Sequence, residues 1–154
     1  VFRLIPALGE AEFVRLGVMH RNLYVNAPKV LDGALRVSGK ENLFLAGQMV
    51  GVEGYMESTA MGVVAALSVK RLLEGRGTLS WPRESAIGSL LHYLSSAIPE
   101  TFQPMNVNLG IFPPLETRIR SRMDRCRSVA ERAEKSFDAF LERLSSEMPG
   151  YSGS

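Results

Sequence analysis

The sequence predicts an α/β fold that ends in a long helix. Three observations carry this. Residues 43–46 (Leu-Phe-Leu-Ala) form a continuous apolar run between a polar turn and Gly47. Glycines follow at 47, 51 and 54, and then a proline-free stretch from Tyr55 to Leu73 rich in Ala, Met, Leu and Val. Further on, Ile119, Met123, Cys126, Ala130, Ala133, Phe137, Phe140 and Leu144 recur at spacings of three and four. A short apolar run fits a strand buried on both faces of a parallel sheet, whereas the three-and-four spacing marks one face of a helix.

Composition sets the outer limits. The chain has 154 residues, 45% of them hydrophobic, which is enough for one domain with its own core. Its net charge of +2 makes it no polycation, so nucleic-acid binding would need a local basic patch. One cysteine excludes an internal disulfide framework and a cysteine-rich zinc site. Nothing approaches the roughly 18 uninterrupted apolar residues of a membrane span, and the first residues lack the pattern of a signal peptide. The expected compartment is the cytoplasm. Val1 opens directly into patterned sequence, as expected for a piece of a longer polypeptide.

The elements follow in order. Residues 1–36 are strand-rich: 12–26 hold β-branched clusters that end at Asn26-Ala27-Pro28, and 34–37 (Ala-Leu-Arg-Val) alternate. Residues 37–80 form a strand–glycine loop–helix unit. Its turn is Ser38-Gly39-Lys40-Glu41-Asn42, its strand 43–46, and its helix is closed by Glu74-Gly75-Arg76-Gly77. Small residues at 60, 62, 65 and 66 would let that helix lie close on a sheet. Residues 81–115 supply a second helix at 84–96 and a loop with three prolines and two asparagines at 102–115. Residues 116–148 form the long amphipathic helix, and 149–154 a frayed tail.

The glycine loop is the first candidate site. Gly47-Gln48-Met49-Val50-Gly51-Val52-Glu53-Gly54 stands where a strand hands over to a helix, so free N–H groups and the positive dipole end face a ligand. The spacing is neither a Walker A loop nor the first dinucleotide fingerprint. Glu53 and Glu57 near the first helical turn would repel a pyrophosphate. A ring edge that gains negative charge on reduction, as in a flavin, fits better. The alternative is a packing loop that needs glycine for tight turns.

Arg118, Arg120, Arg122, Arg125 and Arg127 form the second candidate, opposed locally by Asp124. Arg118, Arg122 and Arg125 share one helix face and could meet RNA phosphates; the alternative is a solvated face. His20 at a strand end and Cys126 on an apolar face read as structural, and no metal-ligand spacing occurs.

Three segments together resemble a known family: 17–26 (Gly-Val-Met-His-Arg-Asn-Leu-Tyr-Val-Asn), 42–58 (Asn-Leu-Phe-Leu-Ala-Gly-Gln-Met-Val-Gly-Val-Glu-Gly-Tyr-Met-Glu-Ser) and 102–115 (Phe-Gln-Pro-Met-Asn-Val-Asn-Leu-Gly-Ile-Phe-Pro-Pro-Leu). They are similar to the carboxy-terminal portion of the bacterial folate- and FAD-dependent tRNA (uracil-5-)-methyltransferases. Residues 86–94 also fit. Their broader kin are the glucose-inhibited division protein A flavoproteins, which modify the wobble uridine. The resemblance implies a glutathione-reductase-like FAD domain and methylation of C5 of a T-loop uridine. It further implies methylenetetrahydrofolate as carbon donor, reduced FAD as reductant and NAD(P)H to regenerate it. On that view Gly47, Gln48, Gly51, Val52, Glu53 and Gly54 contact the flavin, and Arg118, Arg122 and Arg125 are candidates for tRNA.

Departures accompany the likeness. The family's amino-terminal dinucleotide fingerprint is absent, its catalytic cysteines are expected upstream, and no catalytic role passes to Cys126. The implied partners are tRNA and the missing amino-terminal part, with an exposed sheet edge inviting oligomers. A different flavin-dependent RNA modifier, or a non-catalytic RNA- or protein-binding module, remain as alternatives.

Overall fold

The structure is a computed structural model in which residues 4–12 and 23–147 are described. His20-Arg21-Asn22 and most of the 12–26 strand expectation lie outside them, as does the tail. Among the described residues four α-helices follow in order: α1 (Ala27–Val30), α2 (Tyr55–Leu73), α3 (Ala86–Ser96) and α4 (Arg122–Glu147). Single 3-10 turns stand at Pro6–Leu8 and Gly47–Val50.

The core lies between α2 and α3. Met61 and Val64 of α2 face Leu90, Leu91 and Leu94 of α3, and Leu35, Val50, Val52 and Phe102 close the space from the connecting segments. Each of these side chains is nearly or wholly buried. At ~2 kcal/mol per buried aliphatic side chain, this cluster is the main source of stability.

Helix 55–73 has the boundaries its composition predicts, and Gly75 in a left-handed conformation ends it. Its buried face is Met61, Val64 and Ser68, with Ser68 Oγ donating to Val64 O (2.8 Å). The small-residue face expected to meet a sheet is only partly used. Ala60 and Ala65 pack on the core, Ala66 is exposed, and nothing lies within 4 Å of a Cβ placed on Gly62. Helix α3 starts two residues later than expected because Ser85 caps it, accepting from Gly88 N–H (3.0 Å).

Among the described residues the expected strands do not form. Among the described residues, pairing is limited to isolated bridges: Leu31 with Val37 and Arg36 with Phe44, both antiparallel, and Val52 with Met105, parallel. Residues 34–37 and 43–46 therefore pair with each other inside one compact meander. Its bend is tied by Asp32, whose carboxylate accepts from the N–H groups of Ala34 (2.9 Å) and Arg36 (3.0 Å). The 43–46 run is not buried on both faces either: Leu43 is exposed and the next three residues are half-buried. A parallel ladder needs neighbours on both sides, and none lies beside it among the described residues. With no strand ladder among the described residues, the expected exposed sheet edge is missing as well. No described helix is long and apolar enough to cross a membrane.

Candidate functional site

Residues 47–54 fold as a short 3-10 turn closed by Gly51 at φ 89°. Val50 and Val52 send their side chains into the core. The loop is then fixed to the 102–107 segment by the two backbone hydrogen bonds of one parallel bridge. Val52 bridges Met105, Glu53 N–H donates to Met105 O (3.0 Å), and Met105 N–H donates to Gly51 O (3.2 Å). Gly51 is required by contact as well as by φ, because a Cβ there would lie 2.5 Å from Cζ of Phe102. Phe102 in turn stacks on Tyr93 (centroids 5.6 Å apart) and meets Tyr24 edge-on (6.2 Å). The close approach at Gly51 is thus made by the protein's own aromatic ring.

The amino end of α2 is different. Gly54 at φ 94° precedes it, and no side chain caps it. The first helical amide with a backbone partner here is Ser58, bonded to Gly54 O (3.1 Å). The donors before it have no partner within the helix by construction, and the side chains around them are open: Tyr55 is 90% and Met56 82% exposed. Glu57 folds back over Gly54. Its Oε1 accepts from Val107 N–H (3.1 Å), and its other oxygen would sit 2.3 Å from a Cβ on Gly54. The six expected cofactor residues lie in one loop but are unequal. Gln48, Glu53 and Gly54 are exposed, Gly47 is half-buried, and Gly51 and Val52 are buried, so Val52 can offer only its backbone.

The arginine row is split. Helix α4 begins at Arg122, so Arg118 does not share a helix face with Arg122 and Arg125. Two features stop the helix. Ser121 caps its start, accepting from Asp124 N–H (3.3 Å), and Arg132 donates to the carbonyls of Pro114 (2.8 Å) and Pro113. The segment before Ser121 is thereby held back along α4. It closes a cavity of about 780 Å³ that Arg118 and Arg125 both line and Arg122 does not. Another cavity, about 450 Å³, is lined by Arg83, His92 and Asn108, and neither cavity is lined by the glycine loop. Burial, and then the charge of Arg83, lower the pKa of His92. The neutral imidazole is favoured, so this contribution to stability is present above the ordinary histidine range and fades as the pH falls below it. Arg83, itself lowered by burial, donates to Ile111 O (2.7 Å).

Cys126 is a free, half-buried thiol. Among the described residues no group of three or more His, Cys, Asp or Glu side chains is placed to hold a metal ion. Sequence reasoning missed Glu57 as the anchor of Val107, Phe102 as the ring over Gly51, and Arg132 as the clamp on the proline pair. Only the first had a signal, an acid in a helical first turn.

Residues 1–77 match the family described as Glucose inhibited division protein A, which is half of the 154-residue chain. The chain is 53% identical over 144 residues to the methylenetetrahydrofolate–tRNA-(uracil-5-)-methyltransferase TrmFO of Pelotomaculum thermopropionicum, covering 94% of this chain and 33% of that protein. The protein of the same name from Natranaerobius thermophilus is 50% identical over 143 residues, covering 93% and 33%. That of Moorella thermoacetica is 53% identical over 133 residues, covering 86% and 30%. The chain thus spans about a third of the length of these curated relatives. The glycine loop and all of α2 lie inside the matched half, and the chain belongs to the glucose-inhibited division protein A family.

Proposed function

We propose that the chain is the carboxy-terminal third of a cytoplasmic flavoprotein that methylates C5 of a T-loop uridine in tRNA. Methylenetetrahydrofolate would be the carbon donor, FAD the cofactor and NAD(P)H its reductant. The observation that carries this is identity of about one residue in two, along nearly the whole chain, to proteins named as uracil-5-methyltransferases. The expected glutathione-reductase-like α/β domain belongs to the same proposal, its parallel strands and adenosine half-site being supplied from outside this chain.

The residues present fit a flavin at one place. The uncapped, exposed amino end of α2 offers N–H donors beside Gly54, where a Cβ would collide with Glu57. Such an end stabilises negative charge on a ring edge. Gln48 is exposed next to it and can add a side-chain hydrogen bond, whereas Gly51 and Val52 act by shaping the loop. Glu57, held by Val107 N–H, fixes the 102–107 segment beneath that end. Bound FAD supplies the reducing equivalents that turn the folate-borne carbon into a methyl. This chain binds and orients. Arg118, Arg122 and Arg125 are the residues proposed to meet tRNA.

Tyr55→Pro in the full-length protein tests the site. Proline is tolerated at the first helical position, where it removes the N–H donor together with the exposed phenol ring, and Tyr55→Ala serves as the control for the ring. FAD affinity should fall about tenfold, the value of one hydrogen bond to a charged group, with helicity unchanged. Flavin retained at wild-type affinity removes α2 from the site. A full-length protein that holds flavin yet forms no 5-methyluridine in tRNA would favour a different RNA modification.

A further inference from the structure

The cavity between the 109–119 segment and α4 has two kinds of wall. Leu109, Phe112, Ile119 and Val129 give it apolar surface, and Arg118 and Arg125 give it two guanidinium groups. Its volume of about 780 Å³ lies in the range of roughly 300–1,000 Å³ found for small-ligand sites.

The two arginines differ from the others that shape the fold. Arg83 and Arg132 are tied to loop carbonyls, and Arg71 to Glu147. The Arg118 and Arg125 side chains have no hydrogen bond or ion pair among the described residues. Two like charges facing one cavity repel, and an anion between them removes that cost. Glu116 lines the same cavity, so the local balance there is two cations to one carboxylate. Outside it, the exposed Arg120, Arg122 and Arg127 outnumber Asp124.

The apolar wall decides what kind of anion fits. A track for duplex phosphates needs charge on a convex surface and no cavity, because A-form RNA keeps its bases stacked inside. A site for an unpaired nucleotide needs a charge for the phosphate and an aromatic or apolar surface for the base. This open cavity has both among its lining residues.

We propose that it takes one unstacked nucleotide of a single-stranded RNA segment, its base against Phe112 and the apolar wall and its phosphates on Arg118 and Arg125. The inference rests on the RNA reading given above and sharpens it. The arginine row becomes a recogniser of a looped-out position instead of a general phosphate contact.

The test uses the 154-residue chain and two labelled RNA probes in fluorescence anisotropy. One is a short single-stranded oligoribonucleotide, the other the same strand annealed to its complement. The single strand should bind at least about fivefold tighter, the value of one stacked base. Arg125→Glu should weaken single-strand binding about tenfold. Arg127→Glu, an equal charge change on the same helix outside the cavity, should cost less than about threefold. Adenosine monophosphate, but not inorganic phosphate, should shift the methyl resonances of Leu109 and Val129. Equal losses from the two variants, equal affinity for the duplex, or equal shifts with inorganic phosphate would overturn the nucleotide cavity while leaving RNA binding in place. No binding of either probe by the unsubstituted chain would overturn both readings together.

Discussion

Ser85 holds two jobs at the start of α3. Its hydroxyl accepts from Gly88 N–H and donates to Pro82 O (2.8 Å), and it is 2% exposed. Removal leaves the Gly88 donor unmet in a buried place, while the Pro82 carbonyl keeps the Ser85 backbone N–H (3.0 Å). Ser85→Ala should therefore lower stability by about 1–2 kcal/mol in urea unfolding; a loss within error would show that neither bond matters. Gly88 is constrained more sharply, since a Cβ there would lie 1.9 Å from the Pro82 carbonyl oxygen. Neither restriction could be read beforehand. The sequence shows a serine and a glycine three apart, but not the proline carbonyl that both must accommodate. The same holds at Gly51. The need for glycine was legible, yet the ring that imposes it in the fold is Phe102, fifty-one residues on.

At the level of elements, α2 was legible end to end because composition, the glycine before it and the glycine after it agree. Helix α4 was legible as a helix but neither in its start nor along its whole apolar face, since Met123 and Ala130 are exposed and Val129, outside the expected stripe, is buried. Ile119 continues the apolar spacing, and nothing in that spacing shows Ser121 taking over as a cap or Arg132 holding the proline pair. The strand signals failed for another reason. Period-two patterning specifies a tendency to pair, while partners specify a sheet, and the available partners make only a local meander. How α4 docks can be measured directly. Trp81, the sole tryptophan, packs on Phe140 with ring centroids 4.8 Å apart, and Arg143 stands 5.6 Å over the same ring. Phe140 is 3% exposed. Phe140→Ala should shift Trp81 emission to the red and cost about 3–5 kcal/mol. Unchanged emission would mean that α4 is not held at this contact.

For the whole molecule, the outer side of α2 matters most. Met56, Val63 and Leu73 are 82%, 51% and 82% exposed, and Thr59 and Ala66 continue the same stripe. A helix apolar on both sides is normally covered on both sides. This stripe, and not a sheet edge, is where the chain should self-associate. In sedimentation velocity, Val63→Glu should shift the distribution toward monomer without loss of helicity; an identical distribution would place the contact elsewhere. The clasp at the far end of α2 has a practical outcome of its own. Arg71 meets the Glu147 carboxylate (3.0 Å) and Arg76 its backbone carbonyl (2.9 Å). A fluorophore on the neighbouring Ser145 would consequently ride with the carboxyl end of α2, about 27 Å along the axis from Gly54. Energy transfer from that dye to a bound flavin would be a ruler for cofactor loading, with the label itself well clear of the proposed flavin contacts.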